Sequence, residues 1–430
     1  YTWNDIYLAD LSVRFDGSSE FGSDQKWAPF WSTGVGLNVH NYGFLKDNDV
    51  INQLKVRVSY GQTGKVNFPS YSAKTVYATN DRWYATGFGT QLKALGNHNL
   101  KWETTNKLNM GTDLQFWHER ISLNFDYYYN KTVDLITDVS LPASAGFTSY
   151  KDNLGETLNK GFDIQVRFDV YKDKDWNVSL WGNLNHNRNE ILKISDALRA
   201  YNQRVNEKYE AAENAQGNVH LSEWGSEYSE PEMKYEEGAS LTSIFAIRSL
   251  GIDPMTGNEL FLYRDGSVSS LWKATETVRV GDEEPKASGS FGVNLTYKNL
   301  TLFASFAYDW GKQTYNQTLV DGVENADIEN SNVDRRVLTQ RWQKPGDIAP
   351  LRNIKDMNTS TMPTSRFVQD DNELSLSALT LSYDFNTDWL KKIRLKMLRL
   401  ELSTNDLFRA STVRLERGTS YPFARTFNFS

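Results

Sequence analysis

The chain has 430 residues, 39% hydrophobic and 13% aromatic, with a formal net charge of -7 and no cysteine. That composition excludes a disulfide framework and thiolate metal sites, and a sequence pI of about 5.5 argues against nucleic acid as a partner. No apolar run reaches the ~18 residues of a helical membrane span.

A mean hydropathy of -0.58 still leaves a membrane barrel open, because bore-facing and loop residues dilute the lipid-facing half of such a wall. The 13 Trp, 22 Tyr and 22 Phe suit aromatic girdles at two interfaces. Length alone would suggest two or three soluble domains. No Pro/Ser-rich linker divides the sequence, so one architecture is expected. The sequence opens at Tyr1, already at a strand edge, with no initiator Met or leader, and reads as a piece of something larger.

In chain order, strands are predicted at 7–15, 35–39, 54–60, 107–114, 121–129, 162–170, 176–184, 291–297, 302–308, 374–385, 398–403 and 423–429. The clearest is 162–170. Phe162, Ile164, Val166, Phe168 and Val170 point one way, and Asp163, Gln165, Arg167 and Asp169 the other. A slip of one residue would bring the charges into lipid at ~2–4 kcal/mol per basic residue at the midplane, less for acids. In 374–385 the phase changes between Leu376 and Leu379, the mark of a bulge.

The connections alternate in length. Short links fall near 41–50, 116–120, 171–175, 298–300 and 386–395, and long ones at 16–30, 61–103, 131–160, 188–287, 311–372 and 407–420. A soluble sandwich explains any single alternating strand, but compact domains rarely carry structureless loops of such size. Outer-membrane barrels have short turns on one side and long loops on the other. The expected fold class is therefore all-β, a transmembrane antiparallel barrel with about a dozen strands in this chain. Trp117 and Trp176 then flank periplasmic turns, and Tyr60, Tyr127, Tyr129 and Trp310 fit the outer girdle.

Several segments together resemble one family. They are Arg14 with Asp16-Gly17-Ser18-Ser19 and Phe21-Gly22, Phe44-Leu45-Lys46, Leu54 through Gly64 (LKVRVSYGQTG), and Asn99 through Thr105 (NLKWETT). Asp126 through Thr132 (DYYYNKT), Asp134-Leu135, Leu141-Pro142, Gly146-Phe147, Asn153-Leu154-Gly155 and Asn159-Lys160-Gly161 continue the series. Gly251-Ile252-Asp253-Pro254 with Thr256-Gly257, then Arg341-Trp342, and Asn405-Asp406-Leu407-Phe408 match more loosely. In this order they resemble the SusC/RagA-type, TonB-dependent outer-membrane transporters of Bacteroidetes. The resemblance implies the C-terminal part of a barrel of about 22 strands, with a plug and a TonB-engaging segment outside this chain. It further implies active import of an oligosaccharide or, in some members, an oligopeptide, with a SusD-like lipoprotein as lid and the TonB complex as energy source. A family member usually ends on an aromatic residue, whereas here Ser430 follows Phe429.

No catalytic constellation is present. His40, His98, His118, His186 and His220 lack metal-site spacing, and neither Gly-Xaa-Ser-Xaa-Gly nor a phosphate-cradling loop occurs. The reading is a non-enzyme with no cofactor and no metal. The candidate ligand contacts are the loop aromatics Trp83, Tyr84, Trp224, Tyr228, Tyr263 and Trp272, whose rings suit sugar C–H faces and protein surfaces alike. Packing within the loops is the competing reading. The Glu-rich stretch 207–237 fits a solvated loop face or an electrostatic lid contact, and 253–259 a plain turn or a weak oxygen site. Two further functions stay open at this point: a passive outer-membrane pore complete in itself, and a soluble glycan-binding β protein.

Overall fold

The computed structural model describes the chain outside residues 22–25, 47, 67–72, 85–86, 98–99, 141–148, 154, 216–227, 329–331, 354–359, 386–394, 396 and 415–425. One sheet holds thirteen strands, ordered as in the sequence: Thr2–Trp3, Tyr7–Gly17, Trp27–Asn38, Ile51–Lys65, Glu103–Phe116, Ile121–Val133, Gly155–Lys172, Trp176–Ile194, Ala287–Tyr297, Leu300–Tyr315, Val368–Asp384, Arg399–Ser411 and Phe427–Phe429. Every predicted strand overlaps one of this set, with 35–39, 374–385 and 398–403 each overrunning by one residue, and Thr2–Trp3 is an addition. The last prediction, 423–429, is strand only over Phe427–Phe429, and its residues 423–425 lie outside the described residues.

By contact density the chain divides into two compact units, Tyr1–Val166 with Asn187–Asn202 and Tyr235–Leu241, and Arg167–His186 with Gln203–Lys234 and Thr242–Ser430. In the first unit the register aligns Ala9, Val35, Val58, Met110 and Tyr127 into one row across five strands. That row belongs to an apolar face that is not buried: Leu11 is 74% exposed and Phe15 71%. On the opposite face Gly36, Arg57, Gly111 and Asp126 align. Arg57 reaches over Gly111 to the Asp126 carboxylate at 2.6 and 2.8 Å, with Asp113 at 3.4 Å. A Cβ on Gly111 would stand 2.4 Å from Asp126 Oδ1, so the bare backbone there is what lets the pair close.

The second unit repeats the scheme. Leu295, Leu302, Leu381 and Leu402 form an apolar row, and Phe291 stacks on Phe306 at 5.2 Å. The other face aligns Ser288, Asp309, Glu373 and Ser411. The predicted bulge is present. Register steps from Leu376 to Ala378 against both neighbouring strands, and Ser377 Oγ donates to the Ser305 carbonyl at 2.9 Å.

Strand ends run further than alternation indicates, to 19 residues in Trp176–Ile194 and 18 in Gly155–Lys172. Beyond the apolar face both sides are polar, so the ladder continues without a two-residue code to announce it. Short turns are closed by side-chain acceptors. Asn48 Oδ1 takes the Val50 and Ile51 N–H groups, and Asp173 Oδ1 those of Asp175 and Trp176. Aromatic clusters stand beside these turns, with Trp3–Tyr7 at 5.4 Å and Trp176–Tyr297 at 4.3 Å.

Candidate functional site

The long connections carry their own structure. In the first unit, Val76–Tyr84 pairs with Gly87–Ala94, and Ile136–Ser140 with Ser149–Asn153. Phe21, Ala73 and Leu100 are buried together, with Val66, Trp102 and Ile136 packed against them. Phe21 stacks on Trp102 at 4.6 Å, and Phe30 meets the same ring edge-on at 5.6 Å. Asn153 donates to the carbonyls of Lys101 and Asp134, tying one long connection to another.

In the second unit, Ser243–Ala246 pairs with Val278–Asp282, and Arg248–Ile252, Glu259–Leu262 and Val268–Ser269 form a small sheet. Beneath them sits a buried charge cluster. Glu324 closes a π-helical turn, Val320–Glu324, and its side chain is fully buried. Arg366 Nη2 lies 2.6 Å from Glu324 Oε1 and 2.9 Å from Glu259 Oε2, while Nη1 donates to the Pro350 carbonyl at 2.7 Å. Thr364 Oγ1 donates to Glu259 Oε1 at 2.7 Å. Arg341 donates to the carbonyls of Val323, Glu324 and Arg352, placing a cation where the turn's carbonyl dipoles end. Burial disfavours the charge on Arg366, yet Glu259 and Glu324 outweigh that and hold its pKa above the ordinary arginine value. The cluster joins the segments around 259, 324, 341 and 366, and Ile247 is bonded beside it through its backbone to Pro363 and Ser365.

Two sequence motifs meet beside it. Trp342 Nε1 donates to the Pro254 carbonyl at 2.8 Å, and the Trp342 ring covers Gly257, whose φ is +76°. Residues 253–257 form the plain turn: Asp253 accepts from the Met255 N–H and the Thr256 hydroxyl, and Gly257 N–H bonds the Asp253 carbonyl at 2.8 Å. Glu259 belongs to the charge cluster.

The loop aromatics differ in their surroundings. Trp272 is buried, donates to the Pro363 carbonyl at 3.0 Å and packs on Tyr209 at 5.4 Å. Tyr263 is also buried; its hydroxyl donates to the Leu271 carbonyl at 2.6 Å, and Lys273 Nζ lies 5.1 Å from its ring. In this arrangement both rings are packing elements. Tyr228 is half-buried beneath Lys208 Nζ at 5.4 Å. The backbone of Trp83 and Tyr84 pairs with Phe88 and Gly87 at the closed end of a hairpin, and Trp224 lies outside the described residues. The Glu-rich stretch splits: residues 207–215 lie in the helix Asp196–Ala215, and 230–234 run alongside it, with Lys208 holding Glu232 at 2.6 Å. Sequence reasoning did not find Arg366 or Glu324, because their partners lie up to 107 residues away in the chain.

Residues 1–238 match the family model "TonB dependent receptor-like, beta-barrel", and the chain belongs to this family of outer-membrane β-barrels. Its relatives within that family include proteins named TonB-dependent receptors and SusC. The TonB-dependent receptor P3 of Formosa agariphila is 29% identical over 421 residues, covering 95% of this chain and 40% of that protein. The TonB-dependent receptor SusC of Bacteroides thetaiotaomicron is 34% identical over 204 residues, 45% of this chain and 20% of SusC. Among solved structures, that of the RagAB peptide transporter superposes with a TM-score of 0.77 at 24% identity, covering 95% of this chain and 43% of that one. The chain thus spans about two fifths of the length of P3. In a barrel of this family the exposed apolar rows are the lipid side, and the rows carrying Arg57, Asp126 and Asp309 face the bore.

Proposed function

We propose that this chain supplies wall strands and outer loops to an importer in the outer membrane of a Gram-negative bacterium. The complete protein takes up a nutrient oligomer, driven through TonB and working with a SusD-like lipoprotein lid. The observation that carries this reading is the pairing of an exposed apolar strand face with a charged opposite face, joined by short turns at one end and folded loops at the other. An oligosaccharide is the favoured cargo. On the polar phase of Trp176–Ile194 stand Asn177, Ser179, Asn183, Asn185, Asn187 and Asn189, whose amides and hydroxyl offer donors and acceptors without charge. Asn187 and Asn189 both donate to Asn159 Oδ1. Trp83, Tyr84, Trp224 and Tyr228 are the proposed aromatic contacts. The plug and TonB-engaging segment are assigned to the remainder of the full-length protein.

The test is isolation of the full-length protein from its own membrane in mild detergent, with mass spectrometry of whatever accompanies it. A co-purifying surface lipoprotein and a bound oligosaccharide are expected. A bound peptide would reassign the cargo. Steady ion conductance by the protein alone in planar bilayers, with no lipoprotein partner, would replace import with a passive pore.

A further inference from the structure

On the polar face of the second unit, two aromatic rings stand where the pattern calls for small polar side chains. Register aligns Trp181, Gly292 and Ser305 in one row, and Ser179, Asn294 and Phe303 in the next row of the same phase. Over 177–185, 288–296 and 301–309 this phase consists of Asn, Ser and Thr, with Gly292, Ala307 and Asp309. Trp181 and Phe303 are the exceptions. An apolar ring turned to a polar bore gives up the free energy that burial would supply, so their place on this face points to something that covers them in use.

The two rings belong together. Their planes lie 8° from parallel, with centroids 6.3 Å apart. A Cβ on Gly292 would stand 2.8 Å from Trp181 Cζ2, so the bare backbone there lets the indole lie against the sheet. Neither ring is sealed in. Both residues are half-buried, and the Trp181 indole N–H, which has no acceptor among the described residues, is not shut off from solvent. Unspent amides stand at the rim. Asn183, two residues on from Trp181 and exposed, uses its Oδ1 on the Ser290 N–H and, at 2.8 Å, the Ser290 hydroxyl. Its Nδ2 and the whole amide of Asn294, the cross-strand partner of Phe303, have no hydrogen-bond partner among the described residues. Asp309 is the nearest charge of this phase on the three strands. Flat apolar rings edged by neutral donors and acceptors match a pyranose, which offers C–H groups to a ring face and hydroxyls to amides.

We infer that Trp181 and Phe303 form a stacking platform in the wall for a neutral sugar ring of the imported oligomer, with Asn183 and Asn294 taking its hydroxyls. This rests on the import reading above and deepens it: the cargo is held by the barrel strands themselves as well as by the outer loops.

The experiment measures binding by the full-length protein, as wild type, Trp181→Ala, Trp181→Phe and Phe303→Ala. The probes are an array of neutral hexasaccharides (α- and β-glucans, mannan and xylan fragments) and a capped neutral tetrapeptide. Wild type is expected to bind at least one sugar. Trp181→Ala and Phe303→Ala should each weaken that binding by about tenfold or more at an unchanged melting temperature, and Trp181→Phe should retain part of it. The bound sugar should also slow oxidation of Trp181 by hydroxyl radicals. Equal sugar affinity in all four proteins overturns the platform and leaves the import reading standing. So does a Trp181 that is protected from radicals without sugar and whose loss lowers the melting temperature, which would make the ring a packing contact of another part of the receptor. Binding of the tetrapeptide and of no sugar overturns the platform while import survives with a different cargo. Binding of no oligomer by any variant sinks both.

Discussion

Replacing Arg366 by Met removes one side chain and leaves two carboxylates, Glu259 and Glu324, buried without their shared counter-ion. Breaking a buried pair in this way costs about 3–5 kcal/mol, against ~0–1 kcal/mol for a surface pair such as Arg409–Glu373, whose arginine is 38% exposed. The amides to watch are Ser365 N–H, bonded to the Ile247 carbonyl at 2.9 Å, and Ile247 N–H, bonded to Pro363 at 3.2 Å. If local opening limits their exchange, 3–5 kcal/mol corresponds to a rate increase of roughly two to three and a half powers of ten. Hydrogen exchange by mass spectrometry on the full-length protein resolves this, with peptides from 287–297 as the unaffected reference. Adding Glu259→Gln and Glu324→Gln to Arg366→Met should restore much of the protection, because the stranded charges are then gone. Unchanged exchange at Ser365 and Ile247 in the single variant would refute the idea that the cluster holds the loop segments together.

Gly257→Ala forces a Cβ to within 2.5 Å of the Trp342 ring at a φ of +76°, whereas Gly346→Ala adds strain at +98° with open space around it. Strain of about 1–3 kcal/mol is expected at either position, and a thermal melt should show the larger loss for Gly257→Ala. Val166→Arg sits on the exposed apolar face and should make folding into lipid vesicles less favourable by about 2–4 kcal/mol near the midplane. Gln165→Arg, one residue away on the polar face, should change it far less, and equal losses would contradict the assignment of faces. Asp253 is held below its ordinary carboxylate pKa, first by the Thr256 hydroxyl and then by the Met255 N–H. A depressed folded value means the turn's contribution is present above the ordinary aspartate value of 3.8 and is lost as pH falls through the lower folded value. The pH midpoint for losing exchange protection at Gly257 N–H should therefore lie below 3.8, and Thr256→Val should raise it.

The strands were legible because side chains alternate with a period of two and lipid makes one phase apolar; Phe162–Val170 and the step at Ser377 are read off directly. The strand extensions, Asn185–Asn189 among them, were not, since a strand wet on both faces has no contrast to read. Loop interiors hid for a different reason. Glu259 in isolation is a turn-flanking acid, and only the return of the chain at Arg366 turns it into half of an ion pair. Trp272 and Tyr263 looked available for ligand because nothing local to either indicates the Pro363 carbonyl or the Leu271 carbonyl as hydrogen-bond acceptor. Trp342 and Gly257 each belong to a quoted motif, but their contact is visible only in three dimensions.

The wide sequence spacing of the Glu259, Glu324 and Arg366 cluster bears on how such receptors can be recombined. Grafting a surface segment that ends before Pro350 would replace the positions of Glu259 and Glu324 and leave their partner Arg366 behind. Swaps that keep everything from Ser243 to Phe367 together carry the interlocked set intact, so exchange of specificity between homologous receptors should succeed in whole blocks and fail in fragments.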